Sequence, residues 1–251
     1  MNPPRLKLLT ACALLLLQSI ASAGLVSIAP VRVDLDQATR TGVVEITNPG
    51  NKPIGIEVET LKWRQATDGS DVYETTTDVL AFPPIFTIEP GASQLVRIGR
   101  MAPALPDREQ AYRLYFTELP VSDSTDGEAI GIKMRMRIGV PVFSAPLVPA
   151  LPELRIVDTR YEEDRMLVSI YNSGNAHVRL SDIFASELID AERSTPRQYI
   201  LPGAVQDFEI EIPAGLTVSS IHAVSDELGT TEFDLETGLA IVPADAELAS
   251  R

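Results

Sequence analysis

Along this chain apolar residues recur at every second position in short runs, and clusters of turn-forming residues separate the runs. Val43-Val44-Glu45-Ile46-Thr47 leads into Asn48-Pro49-Gly50-Asn51, after which Ile54, Ile56 and Val58 keep the same period up to Trp63. Similar runs cover residues 86–88, 95–98, 112–119 and 130–140, with turn signals at Asp68-Gly69, Glu89-Pro90-Gly91 and Asp126-Gly127. Period two is the signature of strands with two different faces, and no amphipathic helix longer than a turn or two is evident. Residues 25–35 alternate loosely, and Pro30 places them at a sheet edge or marks a switch in their course. About seven strands in ~120 residues predict a β-sandwich of immunoglobulin type.

Residues 144–152 contain three prolines and read as a linker. The strand pattern then restarts at 153–159, 166–171, 178–180, 198–201, 208–212, 220–224 and 231–235, with Asn172-Ser173-Gly174-Asn175 as a turn. The expected organisation is all-β: a first immunoglobulin-like domain over 24–143, the linker, a second sandwich over 153–240, and a small polar tail over 241–251.

Residues 130–140 carry the sharpest alternation. Ile130, Ile132, Met134, Met136, Ile138 and Val140 face one way, and Lys133, Arg135 and Arg137 fill three of the places between. Such a strand offers a row of apolar side chains to one neighbour and a cationic face to another. It also suits a half-buried strand with a solvated basic face.

The first 23 residues set the compartment. Arg5 and Lys7 precede an apolar run ending in Ala21-Ser22-Ala23, the pattern of a secretory cleavage site, so the mature chain is expected to start at Gly24. The run is too short for a membrane span, and no stable membrane insertion is expected. Leu9-Thr10-Ala11-Cys12 looks like a lipoprotein processing box, but the apolar run lies mostly after Cys12.

Cys12 is the only cysteine, so the mature chain has no disulfide, thiol nucleophile or cysteine metal site. The net charge is −14, and two more negative without Arg5 and Lys7, which opposes nucleic-acid binding. Two isolated histidines do not make a metal centre; His177 beside Asn175 reads as a turn residue with a local hydrogen bond, and His222 as a strand residue. Asp34/Asp36 and Glu162-Glu163 read as solvated charges. No catalytic motif and no cofactor loop occur, and neither an enzyme nor a cofactor is expected.

Several segments in order resemble the periplasmic pilus chaperones of the chaperone–usher pathway. They are Val31-Arg32-Val33, residues 46–53, Phe82-Pro83-Pro84, Ile88-Glu89-Pro90-Gly91 through Ile98, and Glu109-x-x-Tyr112-Arg113-Leu114-Tyr115-Phe116-x-Glu118-Leu119-Pro120. In the second domain Asn172-x-Gly174-Asn175-Ala176-His177-Val178 and Leu201-Pro202-Gly203 also fit. The resemblance implies two sandwiches in a boomerang, a donor strand at Ile130, Ile132, Met134, Met136 and Ile138, and an anchor for the subunit's C-terminal carboxylate. Arg32 matches the anchoring arginine.

The second basic anchor falls by strict alignment on Gly139; Arg137, two residues earlier, is the expected substitute and Arg135 the fallback. The family's aromatic-Arg-Pro ending lacks its arginine here, which weakens the interdomain salt-bridge network. Glu109 and Asp226 occupy its other two places, and Arg113 is a candidate replacement. The short link from Pro120 to Ile130 and these departures suggest a divergent or archaic-type branch. Implied partners are pilin subunits and an outer-membrane usher; a self-capping dimer of the free protein is left open.

A secreted pilin or adhesin is the alternative. It should carry an apolar donor extension ahead of an incomplete sandwich, whereas here the donor-like strand is internal. A carbohydrate-active sandwich would want clustered aromatics, and Trp63 is the sole tryptophan.

Overall fold

A computed structural model describes residues 26–120, 135–189, 198–213 and 215–240. Ile130, Ile132 and Met134 of the expected donor strand lie outside the described residues, as do the leader and the tail.

The first sandwich contains β1 (Ser27–Ala29), β2 (Val33–Leu35), β3 (Thr41–Thr47), β4 (Ile54–Gln65), β5 (Asp71–Thr75), β6 (Val79–Phe82), β7 (Ile85–Ile88), β8 (Ser93–Arg100), β9 (Gln110–Glu118) and β10 (Arg137–Ser144). The second contains β11 (Leu154–Glu162), β12 (Arg165–Asn172), β13 (Val178–Ala185), β14 (Gln198–Ile200), β15 (Val205–Glu211), β16 (Ser220–Ser225) and β17 (Gly229–Asp234). There is no α-helix among the described residues, only a 3-10 turn at Ser186–Leu188.

In the first sandwich one sheet runs β1-β3-β8-β6 and the other β2-β10-β9-β4-β5, with β7 also on β4. The chain crosses from one sheet to the other at Pro30, between β1 and β2, because proline cannot donate to a continuing ladder. The second sandwich pairs β11-β12-β15 with β14-β13-β16-β17. Alternate residues from both inner faces make the first core, with Val44, Ile46, Ile56, Val96, Ile98, Leu114 and Phe116 fully buried.

The two Asn-x-Gly-Asn turns are one device used twice. Asn48 and Asn172 are both fully buried. Asn48 Nδ2 donates to the carbonyls of Lys52 and Ile88 at 2.7 and 3.0 Å, and its Oδ1 accepts from Gly50 N at 2.9 Å. Asn172 Nδ2 donates to the carbonyls of Ala176 and Ile200, both at 2.8 Å, and its Oδ1 accepts from Gly174 N at 3.0 Å.

The Pro-Gly turn in each domain completes the match. Gly91 N donates to Asn48 O, and Gly203 N to Asn172 O. Both glycines have positive φ, 70° and 80°, a region other residues rarely enter. Removing the Asn172 amide strands two buried carbonyls, and removing that of Asn48 strands the buried carbonyl of Ile88 and the partly buried one of Lys52. Asn48→Ala and Asn172→Ala are each expected to cost about 3 kcal/mol, read as a lower denaturation midpoint for the domain concerned.

Of the segment expected to run over 130–140, residues 130–134 lie outside the described residues; the strand described begins at Arg137 and continues past Val140 through Phe143 and Ser144. Its later half is held by antiparallel pairing to β9 from Arg137↔Thr117 to Ser144↔Gln110 and by burial of Val140, Val142 and Phe143. Strands β5 and β6 had no clear sequence signal.

Candidate functional site

The interdomain cleft is built on the outer face of β2-β10-β9-β4. Strand alternation places Arg32, Asp34, Arg137, Gly139, Pro141, Phe143, Arg113, Tyr115 and Trp63 on that face, while Val33, Leu35, Val140 and Val142 enter the first core. Register arranges them in rows: Trp63–Ala111–Phe143–Asp34, then Leu61–Arg113–Pro141, then Glu59–Tyr115–Gly139.

The top row seals the base of the cleft. Trp63, Ala111 and Phe143 join the core of the second sandwich, so the two domains share one hydrophobic cluster. Trp63 meets Phe143 at 6.1 Å and Tyr199 edge-on at 5.6 Å between ring centroids. The tip of the β4–β5 hairpin adds polar clasps: Gln65 Nε2 donates to Tyr199 O at 2.9 Å and its Oε1 accepts from Leu201 N at 2.8 Å. Gln206 Nε2 donates to Gly69 O at 2.5 Å.

The structure does not bring Arg32 and Arg137 together. Val33 pairs with Val142, so Arg32 falls beside Pro141, and Arg137 lies four residues away, about 13 Å along the strand. Arg137 pairs with Glu59 at 3.0 Å and lies over the Tyr115 ring at 3.8 Å, with about half its side chain exposed. Arg113, by contrast, sits opposite Pro141 on its other side, about 10 Å from Arg32 across two strand spacings.

Arg113 is stacked over Trp63 at 4.0 Å. Its Nε is buried without a hydrogen-bond partner, and no carboxylate pairs with it among the described residues. It lines a cavity of about 410 Å³ with Trp63, Gln65, Asp71 and Tyr199. Gly139 explains why it is there: a Cβ at 139 would stand 3.1 Å from the Tyr115 ring and 3.3 Å from Arg113 Cδ. The side chains of Arg113 and Tyr115 occupy the space a basic residue at 139 would need.

Arg32 is held from two sides, Nε by Asp34 at 3.0 Å and Nη1 by Glu227 at 3.3 Å. Glu227 belongs to the β16–β17 turn of the second domain, and its Oε2 accepts from Arg179 N at 2.7 Å. Asp226, expected at the domain interface, instead pairs with Arg179 of its own domain at 3.0 Å. The chain path of the turn points its neighbour Glu227 inward.

His177 completes this network, and its hydrogen bonds reach Glu109 of the first domain instead of a local partner. Its ring is buried and stacked on Phe143 at 3.5 Å and 10°. Nδ1 and the backbone N both bond Glu109 Oε1, at 2.8 and 3.0 Å, and Nε2 faces Glu227 Oε1 at 3.4 Å, an ion contact too poorly aligned for a hydrogen bond. Burial opposes its charge, but the bond to Glu109 and the contact with Glu227 outweigh burial and raise its pKa to about 9. The same pair holds Glu227 below the usual carboxylate range against its own desolvation. The histidine stands between a first-domain and a second-domain carboxylate, where the sequence comparison expected an arginine.

One edge of the sheet is open beside this cleft. β2 covers β10 only at Val142–Ser144, so among the described residues no strand pairs with the outer edge of β10 at 137–141. The inward row along β10 fades in burial from Val142 (0% exposed) and Val140 (2%) to the half-buried Ile138 and Met136. An apolar stripe thus runs out of the domain's own core along an unpaired edge.

Residues 25–148 match the family model of the pili and flagellar-assembly chaperone, PapD N-terminal domain. The chain belongs to the pilus-assembly chaperones. Solved structures agree in fold across both domains of this chaperone. The CsuC–CsuE chaperone–tip adhesion subunit pre-assembly complex of the archaic chaperone–usher Csu pili of Acinetobacter baumannii aligns with TM-score 0.65 at 20% identity, covering 83% of this chain and 97% of that one. The Salmonella enterica SafA pilin–SafB chaperone complex gives 0.58 at 20% identity, covering 84% and 97%. The E. coli chaperone DraB gives 0.56 at 18%, covering 85% and 97%. No curated protein matches the chain at a significant level.

Proposed function

We propose that this chaperone binds pilus subunits in the periplasm by lending them the edge strand that begins in 130–138 and continues into β10, and that it passes them to an outer-membrane usher. The observation that carries this reading is the unpaired edge of β10, with its apolar stripe leaving the core at Ile138 and Met136. A free sheet edge with alternate apolar side chains fits a sandwich lacking one strand: main-chain bonds pair the edges and side chains fill the pockets. Left unpaired, such an edge invites aggregation.

The subunit's C-terminal carboxylate is assigned to the space between Arg32 and Arg113, flanking Pro141. Arg113 replaces Arg137 as second anchor in this reading, because among the described residues no carboxylate pairs with it while Arg137 is engaged with Glu59 and Tyr115. Guanidinium groups from the two strands that flank Pro141 can bracket one carboxylate with charge-assisted bonds.

The experiment is co-expression of the tagged chaperone in a periplasm with the pilins of its host, followed by intact-mass analysis of what co-purifies. The expected result is a one-to-one complex with a subunit of incomplete sandwich type, whose mass matches an uncleaved C-terminus. Recovery of the chaperone without any pilin would overturn the reading.

A further inference from the structure

The cleft arginine and the domain interface share one carboxylate. Glu227 Oε1 lies 3.3 Å from Arg32 Nη1 and 3.4 Å from His177 Nε2, so both cations compete for the same oxygen. Charged or titratable groups face His177 from each neighbouring element: Glu109 ahead of β9, Glu227 on the β16–β17 turn, and Tyr199 on β14 at 5.6 Å between centroids. Phe143 of β10 covers one ring face, and Arg32 and Arg179 reach the histidine only through Glu227.

We propose that His177 is a positioning residue for the subunit carboxylate: while protonated it shares Glu227 with Arg32 and so loosens that carboxylate's hold on the arginine, and on losing its proton it releases Glu227 fully onto Arg32. The inference rests on the carboxylate site described above and adds its regulation. A neutral imidazole carries one N–H and can serve only one of its two carboxylates. The other then faces a lone pair at about 3 Å, and the nearest remaining cation for Glu227 is Arg32.

The pH window follows from the raised pKa. Below about pH 6.5 folded and unfolded chains both hold the proton and the latch contributes fully; its contribution is lost as pH rises through about 9. At neutral pH the latch is closed and Glu227 is divided between His177 and Arg32.

The test uses the full mature protein and ¹⁵N NMR of the histidine ring and arginine Nε signals. His177 is expected to be protonated at pH 7 with a midpoint near 9, and the Arg32 Nε signal is expected to move with the same midpoint in wild type and not in His177→Gln. The probe for the cleft is N-acetylglycine, a minimal C-terminal carboxylate, against its amide, followed on the Arg113 Nε signal so that Arg32→Ala can be compared. Its affinity should fall at least threefold between pH 7.5 and 9.5 in wild type, stay constant in His177→Arg, and be low at both in His177→Gln.

A neutral His177 at pH 7, an Arg32 signal flat through the histidine transition, or an unchanged pH profile in His177→Arg would each overturn the coupling. Should His177→Gln not fold, the wild-type titration and His177→Arg still decide. Undiminished N-acetylglycine binding by Arg32→Ala would instead overturn the carboxylate site itself, whatever the histidine does.

Discussion

Met136→Glu is expected to leave the chaperone folded and to abolish subunit capture. Met136 is half-buried and only packs against the rim of the first core, so a carboxylate there can turn to water at a cost of about 1 kcal/mol to the chaperone. In a partner's pocket the same side chain is dehydrated. The methionine's burial there is worth ~1.5–3 kcal/mol, and an unpaired buried charge costs more still. Val140→Glu makes the contrast: at 2% exposed it belongs to the chaperone's own core and should unfold the first domain. Ile132→Glu, on the same alternating row of the sequence, should behave like Met136→Glu, whereas Lys133→Ser should do little. Circular dichroism with subunit pull-down reads all four. An unfolded Met136→Glu would return this row to ordinary core duty.

The gradient from Val142 to Met136 explains what could be read in the sequence. Alternation alone identified a strand with two faces, because period two is a local property. It could not say where the strand's own core ends, since Ile138 and Val142 have the same chemistry and differ only in what covers them. The same limit applied to β5 and β6: Asp71–Thr75 packs little into either core and shows only a weak pattern, and Val79 alone of β6 is buried.

Two cleft assignments needed three dimensions. His177 gave no signal beyond its place after Asn172-Ser173-Gly174-Asn175, since its partners Glu109 and Glu227 stand 68 and 50 residues away and in two different domains. The clue in the sequence was the missing arginine of the 141–146 ending, which left Glu109 without a cation. Gly139 was a second clue: a missing side chain at an anchor position means that neighbours fill the space, and register puts Tyr115 opposite it with Arg113 in the adjoining row, both close to where its Cβ would stand. Spacing along one strand pointed to Arg137, because sequence cannot see across to β9.

Arg32→Ala is expected to cut subunit binding by roughly 2–5 kcal/mol, about 30-fold or more, without lowering the thermal midpoint appreciably. Arg32 is one-third exposed and its partners Asp34 and Glu227 keep water or other donors when it goes, Glu227 retaining His177 and Arg179 N. Arg113→Ala should weaken binding by a comparable amount, with some loss of stability because Trp63 loses its stacked guanidinium. Arg113→Lys keeps the charge and separates the two effects. If both arginines grip one carboxylate, the double variant should lose less than the sum of the single losses, because the second removal acts on a group already released. Additive losses measured by calorimetry would mean two independent contacts, and a silent Arg113→Ala would return the second anchor to Arg137, whose guanidinium would then have to leave Glu59 and the Tyr115 ring to reach the cleft.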